Sequence, residues 1–127
     1  SDVTIVTWGK EVFQVEAAAA VLAADGIEAE ILDMRSLRPL DHETLFASVA
    51  KTGRCLVAHE GFLFAGVGAE IAARVQEACF DHLDAPVLRV ANRDVNQPYA
   101  TNLEKLVIPS PDRVVEAAKK LMGGRRG

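Results

Sequence analysis

Hydrophobic and polar positions along the chain change period several times, and each change marks an element. Val3-Thr4-Ile5-Val6-Thr7 is a β-branched run, too short and too uniform for a helix, that stops at Trp8-Gly9. A buried strand is predicted there. From Lys10 to Asp25, Val12, Val15, Ala19 and Leu22 recur at steps of three and four among helix-favouring alanines, until Gly26 offers a left-handed stop. This predicts a helix of about four turns.

Ala29 to Met34 reads as a second strand, followed by the loop Ser36-Leu37-Arg38-Pro39-Leu40. Asp41 is placed to cap the next helix, because its carboxylate accepts from first-turn amides and opposes the positive end of the helix dipole. That helix runs to about Lys51 and ends at Gly53. Cys55 to Ala58 is a third strand, Gly68 to Phe80 a third helix, and Val87 to Ala91 a fourth strand. Asn92 to Ala100 has no periodicity, while Thr101-Asn102-Leu103-Glu104 matches a capping box for a short helix. Ser110-Pro111 starts a last helix whose apolar face is Val114, Ala118 and Leu121.

Strands alternating with helices predict an α/β fold: a three-layer α/β/α sandwich around an open, mostly parallel sheet of about four strands. One domain over residues 1–122 and a flexible tail over 123–127 are expected. Half of the 127 residues are apolar and a quarter charged, a composition that supports a real core rather than disorder. The net charge of −4 gives no basic field for nucleic acid, and the Arg125-Arg126 pair reads as a terminal tail. No apolar run reaches the ~18 residues of a membrane span. Cys55 and Cys79 lie in apolar periodic segments without zinc or disulfide spacing, and are read as buried thiols.

The stretch HEGFLFAGVGAE, residues 59–70, carries the most suggestive chemistry. In open α/β sheets ligands bind beyond the carboxyl ends of the strands, where the strand order reverses. His59 there could be a general base and Glu60 its orienting partner, with the amides around Gly68 as an anion cradle. Against this, adjacent residues of a strand point to opposite faces, and Ser36, Ser48 and Ser110 look like loop, helix-face and cap residues rather than nucleophiles. Gly66-Val67-Gly68 lacks the full dinucleotide fingerprint. A phospho-receiver would want carboxylates after the first strand and a flavodoxin a hydroxyl-rich loop, whereas TWGKEV is neither. Asp33 with Arg35 reads as a structural ion pair, His42 and His82 as solvated side chains, and Trp8 as a packing anchor.

DVTIVTWG, ILDMRSLRPLD, VAHEG followed by GVGAEIAARV, FDHLDAPVLRV and PYATNLEKLVIPSPDRVVEAAKKL, in that order, resemble the C-terminal domain of the beta subunit of thiamine-diphosphate-dependent 2-oxo acid dehydrogenases. The domain is shared more distantly with transketolase and deoxyxylulose-phosphate synthase. The EG…GVGAE loop is closer to the pyruvate type than to the branched-chain (2-oxoisovalerate) type, while Phe62-Leu63-Phe64 and the residues 92–97 depart from both.

The resemblance implies that thiamine diphosphate and magnesium are bound by other domains, and that no catalytic, cofactor-binding or metal-binding residue falls on this chain. It implies a subunit-contact and assembly role, with His59, Glu60, Phe62, Phe64, Gly66, Gly68 and Glu70 as contact candidates. The expected partners are the remaining domains, the alpha subunit, a second beta subunit and the acyltransferase's peripheral-subunit-binding domain. For that last, basic partner Asp81, Asp84 and Asp94 are the docking candidates. A cytoplasmic (bacterial) or mitochondrial-matrix location follows from the same resemblance. The first strand begins almost at Ser1, so a longer parent protein is expected; the resemblance further implies an upstream antiparallel edge strand, and from it self-association through the edge that strand would cover. A free-standing ligand-binding domain and an independent enzyme built on His59 and Glu60 remain the alternatives.

Overall fold

The computed structural model describes residues 1–34, 41–62, 67–92 and 110–124, the side chains of 60–62, 67, 92 and 124 excepted. Four strands, β1 (Val3–Thr7), β2 (Ala29–Asp33), β3 (Cys55–Phe62) and β4 (Leu88–Asn92), form one sheet in the order β2-β1-β3-β4. All three pairings are parallel. Four helices are described: α1 (Glu11–Ala24), α2 (His42–Thr52), α3 (Val67–Ala78) and α4 (Pro111–Gly124), with a 3-10 turn at Phe80–His82.

The chain steps outward from β1 to β2 and then back across to β3, so right-handed crossovers put α1 on one face of the sheet and α2 and α3 on the other. Packing follows that division. Val3, Ile5, Leu56, Ala58 and Val90 meet Val15, Ala18 and Leu22 of α1 and Val114, Ala118 and Leu121 of α4. Val6, Cys55 and Val57 meet Leu45 and Val49 of α2, Ile71 and Val75 of α3, and Cys79 just beyond it. Each fully buried Val or Leu contributes about 1.5–3 kcal/mol, so both layers are needed to hold the sheet. The three-layer α/β/α expectation is met.

Local signals act as the sequence suggests. Asp41 accepts from the Thr44 amide at 3.1 Å, and Gly53 closes α2 with φ 75°. Gly53 has a second reason to lack a side chain, since a Cβ there would lie 2.6 Å from Asp84 Oδ2. Ser110 Oγ accepts from the Arg113 amide ahead of α4. Two elements differ from expectation. Helix α3 stops at Ala78 and gives way to the tighter turn carrying Phe80, and β3 continues four residues past Ala58. The loop at 35–40, the Arg35 partner expected for Asp33, and the expected helix after Thr101 lie outside the described residues.

A chain of hydroxyls joins the central strand to α2. Ser48 donates to the Glu30 carboxylate and therefore accepts from Thr4 Oγ1, 2.7 Å away, while Thr52 Oγ1 sits 2.9 Å on the other side of Thr4. Lys51 completes the surface end with a 3.1 Å bond to Glu30. Ser48 and Lys51 hold the Glu30 carboxyl below its ordinary pKa, as a bonded carboxylate beside a cation should be.

Candidate functional site: a filled crevice between β1 and β3

The strand order reverses between β1 and β3, and the residues just past their last paired positions, Thr7 and Ala58, are Trp8 and His59. His59 is not at the tip of a loop. It lies within β3, where the register jumps from Ala58 opposite Val90 to Phe62 opposite Asn92, four steps on β3 against two on β4. Such a bulge kinks the strand and re-aims its side chains. The imidazole that results is buried, with 1% of its surface exposed.

Two neighbours close over it. Trp8 stacks on the ring with centroids 4.9 Å apart and planes 16° from parallel. Gly68, in the first turn of α3, approaches so closely that a Cβ would stand 2.3 Å from Nε2. The glycine is therefore explained by His59: only a residue without a side chain lets α3 start this near the sheet. Burial, reinforced by the Arg89 charge, lowers the His59 pKa, so the ring is neutral at pH 7. A neutral imidazole could in principle accept a proton, but this one is shut behind an indole and a helix.

The other contact candidates are distributed as follows. Glu70 is exposed on α3 and bonds Arg74 one turn on, at 2.6 Å. Glu60 and Phe62 are placed by their backbone on β3, and Phe64 and Gly66 lie outside the described residues. Of the acidic candidates, Asp81 is exposed. Asp84 is half-exposed and its amide donates to Gly53 O at 2.7 Å, while its carboxylate sits 4.0 Å from the buried Arg54 guanidinium. Asp94 lies outside the described residues. His82 is solvated as expected, whereas His42 rests against the Phe46 ring, 5.7 Å between centroids.

Two recesses lined by described residues lie away from His59. One of about 300 Å³ is lined by Gln76, Phe80, Leu83, Asp84, Ala85 and Pro86, and Phe80 is 72% exposed at its edge. Another, of about 350 Å³, overlies the Glu30, Ser48 and Lys51 cluster. Sequence reading passed over both Phe80 and the Thr4-Ser48-Thr52 chain; the recurrence of Thr and Ser on facing elements was the available signal. Among the described residues no group of three or more His, Cys, Asp or Glu is arranged to hold a metal ion. Cys55 and Cys79 are buried free thiols, and burial pushes Cys55 up to about 12, too high for a nucleophilic thiolate at neutral pH. With its crevice filled, the described part of the chain does not fit thiamine diphosphate and magnesium. No helix among the described residues is long and apolar enough to cross a membrane.

Comparison with known proteins agrees with this fold. The chain is 49% identical over 121 residues to the pyruvate dehydrogenase E1 component subunit beta of Rickettsia felis, covering 95% of this chain and 37% of that protein. It is 51% identical over 119 residues to the mitochondrial subunit beta-1 of Arabidopsis thaliana, covering 94% of this chain and 33% of the relative. It thus spans about a third of the length of these relatives. A solved structure described as a split-gene transketolase, inactive beta4 tetramer, superposes with a TM-score of 0.76 at 32% identity over 98% of this chain and 39% of its own. Residues 1–114 match the family described as transketolase, C-terminal domain, and the chain belongs to that family.

Proposed function

We propose that this chain is the non-catalytic assembly domain of a pyruvate-type 2-oxo acid dehydrogenase. In this reading the complete enzyme uses thiamine diphosphate and magnesium, held on other domains, to decarboxylate a 2-oxo acid and acylate a lipoyl group. The observation that carries the reading is the filled crevice. The place where an open α/β sheet ordinarily receives a ligand is occupied by Trp8, His59 and the first turn of α3. The relatives' identity as pyruvate dehydrogenase beta subunits supports the pyruvate-type assignment, and the bacterial and mitochondrial sources of those relatives support a cytoplasmic or matrix location.

The partners proposed are the remaining domains, the alpha subunit, a second beta subunit, and the acyltransferase's peripheral-subunit-binding domain. For the last, Asp81 beside the exposed Phe80 and its recess offers an acidic rim with an apolar anchor. Asp84 contributes less free charge, because Arg54 faces its carboxylate. Residues 1–122 are taken as the domain. A transketolase or deoxyxylulose-phosphate synthase origin remains the alternative within the family.

Two measurements test the proposal. Isothermal titration of this chain with thiamine diphosphate and magnesium is expected to give no saturable heat, and micromolar binding would overturn the division of labour. Turnover of pyruvate by this chain alone, abolished by His59→Ala, would make it an independent enzyme.

A further inference from the structure

Aspartate followed by glycine carries a chemistry of its own, because the side-chain carboxyl lies close to the next backbone nitrogen and glycine gives that nitrogen no steric cover. Asp25 is the only aspartate in the chain that precedes a glycine, and no asparagine does. The pair sits where α1 ends. Asp25 is the C-cap, and Gly26 turns the chain with φ 83°. The Gly26 amide donates to Ala23 O at 3.0 Å while the Ile27 amide reaches back to Leu22 O at 2.9 Å, the paired bonds of a left-handed helix stop. Both residues of the pair are exposed, and a Cβ on Gly26 would meet no other part of the fold within 4 Å, so solvent and open space surround the two groups.

Each of the two groups is engaged in the resting turn. Lys119 of α4 takes the Asp25 carboxylate at 2.7 Å, and the Ala23 carbonyl takes the Gly26 amide hydrogen. Neither hold is strong. The Lys119 and Asp25 side chains are each about half exposed, so theirs is a surface ion pair of small worth, and the last turn of a helix is among the first parts of a fold to open. When both release, rotation about ψ of Asp25, 10° in the resting turn, brings the Gly26 nitrogen to Cγ. The nitrogen attacks the protonated carboxyl and loses its proton, and a carboxyl oxygen leaves as water, closing a cyclic imide between residues 25 and 26. Water then adds to one of the two imide carbonyls. Addition at Cγ restores aspartate, whereas addition at the α-carbonyl of residue 25 leaves the backbone running through Cβ and Cγ, which is isoaspartate. One water is lost and one regained, so solvent is the only co-reactant.

We propose that Asp25–Gly26 is a modification site at which the folded chain converts aspartate to isoaspartate through a cyclic imide, with the Lys119 ion pair as the latch that slows the conversion. The site goes beyond the assembly reading and does not depend on it. Its consequence is structural. An added backbone carbon here displaces Ile27, which packs against the core shared by α1 and α4, and Glu28, whose carbonyl accepts from the Asp2 and Val3 amides at 2.7 and 3.3 Å where β2 meets β1. It also moves the free carboxylate away from the position that Lys119 holds, loosening the tie between the end of α1 and α4. The product displays an α-carboxylate on an exposed turn, the group that a methyltransferase acting on isoaspartyl carboxyls would recognise.

The test uses the full-length protein in its native assembly, held folded for weeks in heavy-oxygen water at neutral pH. Each passage through the imide fixes one solvent oxygen, so peptide mass spectrometry reads the rate at every aspartate at once, and electron-transfer fragmentation or enzymatic methyl transfer reports isoaspartate. Label and isoaspartate are expected at residue 25 ahead of every other aspartate. Asp25→Glu keeps a charge for Lys119 but lengthens the side chain so that the ring closes poorly, and should abolish uptake at that position. Lys119→Gln should speed the conversion about two- to fivefold, the worth of one surface ion pair. Uptake at residue 25 no faster than at the other aspartates, or seen only in denaturant, would overturn the site. An unchanged rate in Lys119→Gln would overturn the latch.

Discussion

The crevice between β1 and β3 and the outer face of α1 have opposite fates. The crevice is where an α/β sheet usually leaves space, and here the chain fills it with its own indole, imidazole and helix backbone. The outer face of a surface helix is where polarity is usually found, and here it is phenylalanine, valine and alanine, open to solvent. Side chains suited to proton transfer are enclosed, and side chains suited to adhesion are displayed. The difference teaches that a reactive residue type at a strand end is not a site until space is shown beside it, and that the outward side of a surface helix is not polar by default.

The sharpest way to break the comparison is at the crevice. Gly68→Ala forces a Cβ into His59 and is expected to cost about 2–3 kcal/mol in urea unfolding. Combining it with His59→Ala should recover at least about 1 kcal/mol as coupling energy. An unchanged midpoint for Gly68→Ala would mean that the crevice has slack. Next in size, Thr4→Val removes the hydroxyl between Ser48 and Thr52 and strands buried partners, with an expected cost of about 1–2 kcal/mol by the same measurement.

A smaller effect concerns pH. Burial, with the Arg89 charge behind it, depresses the His59 pKa, so between the unfolded value of about 6.5 and the lower folded value the unfolded chain binds the extra proton. His59 therefore contributes stability that is complete above about pH 6.5 and is lost as pH falls toward the folded pKa. His59→Gln should flatten that part of the stability curve. The depressed Glu30 carboxyl acts in the same direction at more acid pH, below its unfolded value of about 4.3. Smallest of all, Phe13→Ser should change the unfolding free energy by no more than about 0.5 kcal/mol, because the ring touches solvent and not the core. A larger loss would place Phe13 inside the fold and remove it from the exposed face of α1.

The architecture was legible because its signals are local. Uniform β-branched runs, Gly26 and Gly53 as left-handed stops, Asp41 and Ser110 as caps, and the Val114-Ala118-Leu121 face each specify an element without knowledge of the rest. The site was legible only in part. That Trp8 anchors packing could be read from its position, but that its ring lies on His59 depends on two strands distant in sequence becoming neighbours. The bulge in β3 is invisible to a period-two pattern, because the run from Cys55 to Phe62 is interrupted by His59, Glu60 and Gly61 and so looks like strand followed by loop. Ser48 was read as a helix-face residue, since a hydroxyl on a helix carries no sign of the strand threonine it will meet. The exposed apolar face of α1 was hidden by its alanines, which satisfy helix propensity on every side and so mask which side is buried.

The account rests on His59 being a packed residue rather than a reacting one. The most direct test is the kcat of the complete dehydrogenase proposed above, carrying His59→Gln, at saturating 2-oxo acid and lipoyl acceptor, referred to the concentration of assembled enzyme. The account predicts a kcat within about twofold of the parent, with any loss appearing in stability or assembly. A fall of about a thousandfold in fully assembled enzyme, the size expected when a proton-transfer residue is removed, would contradict it.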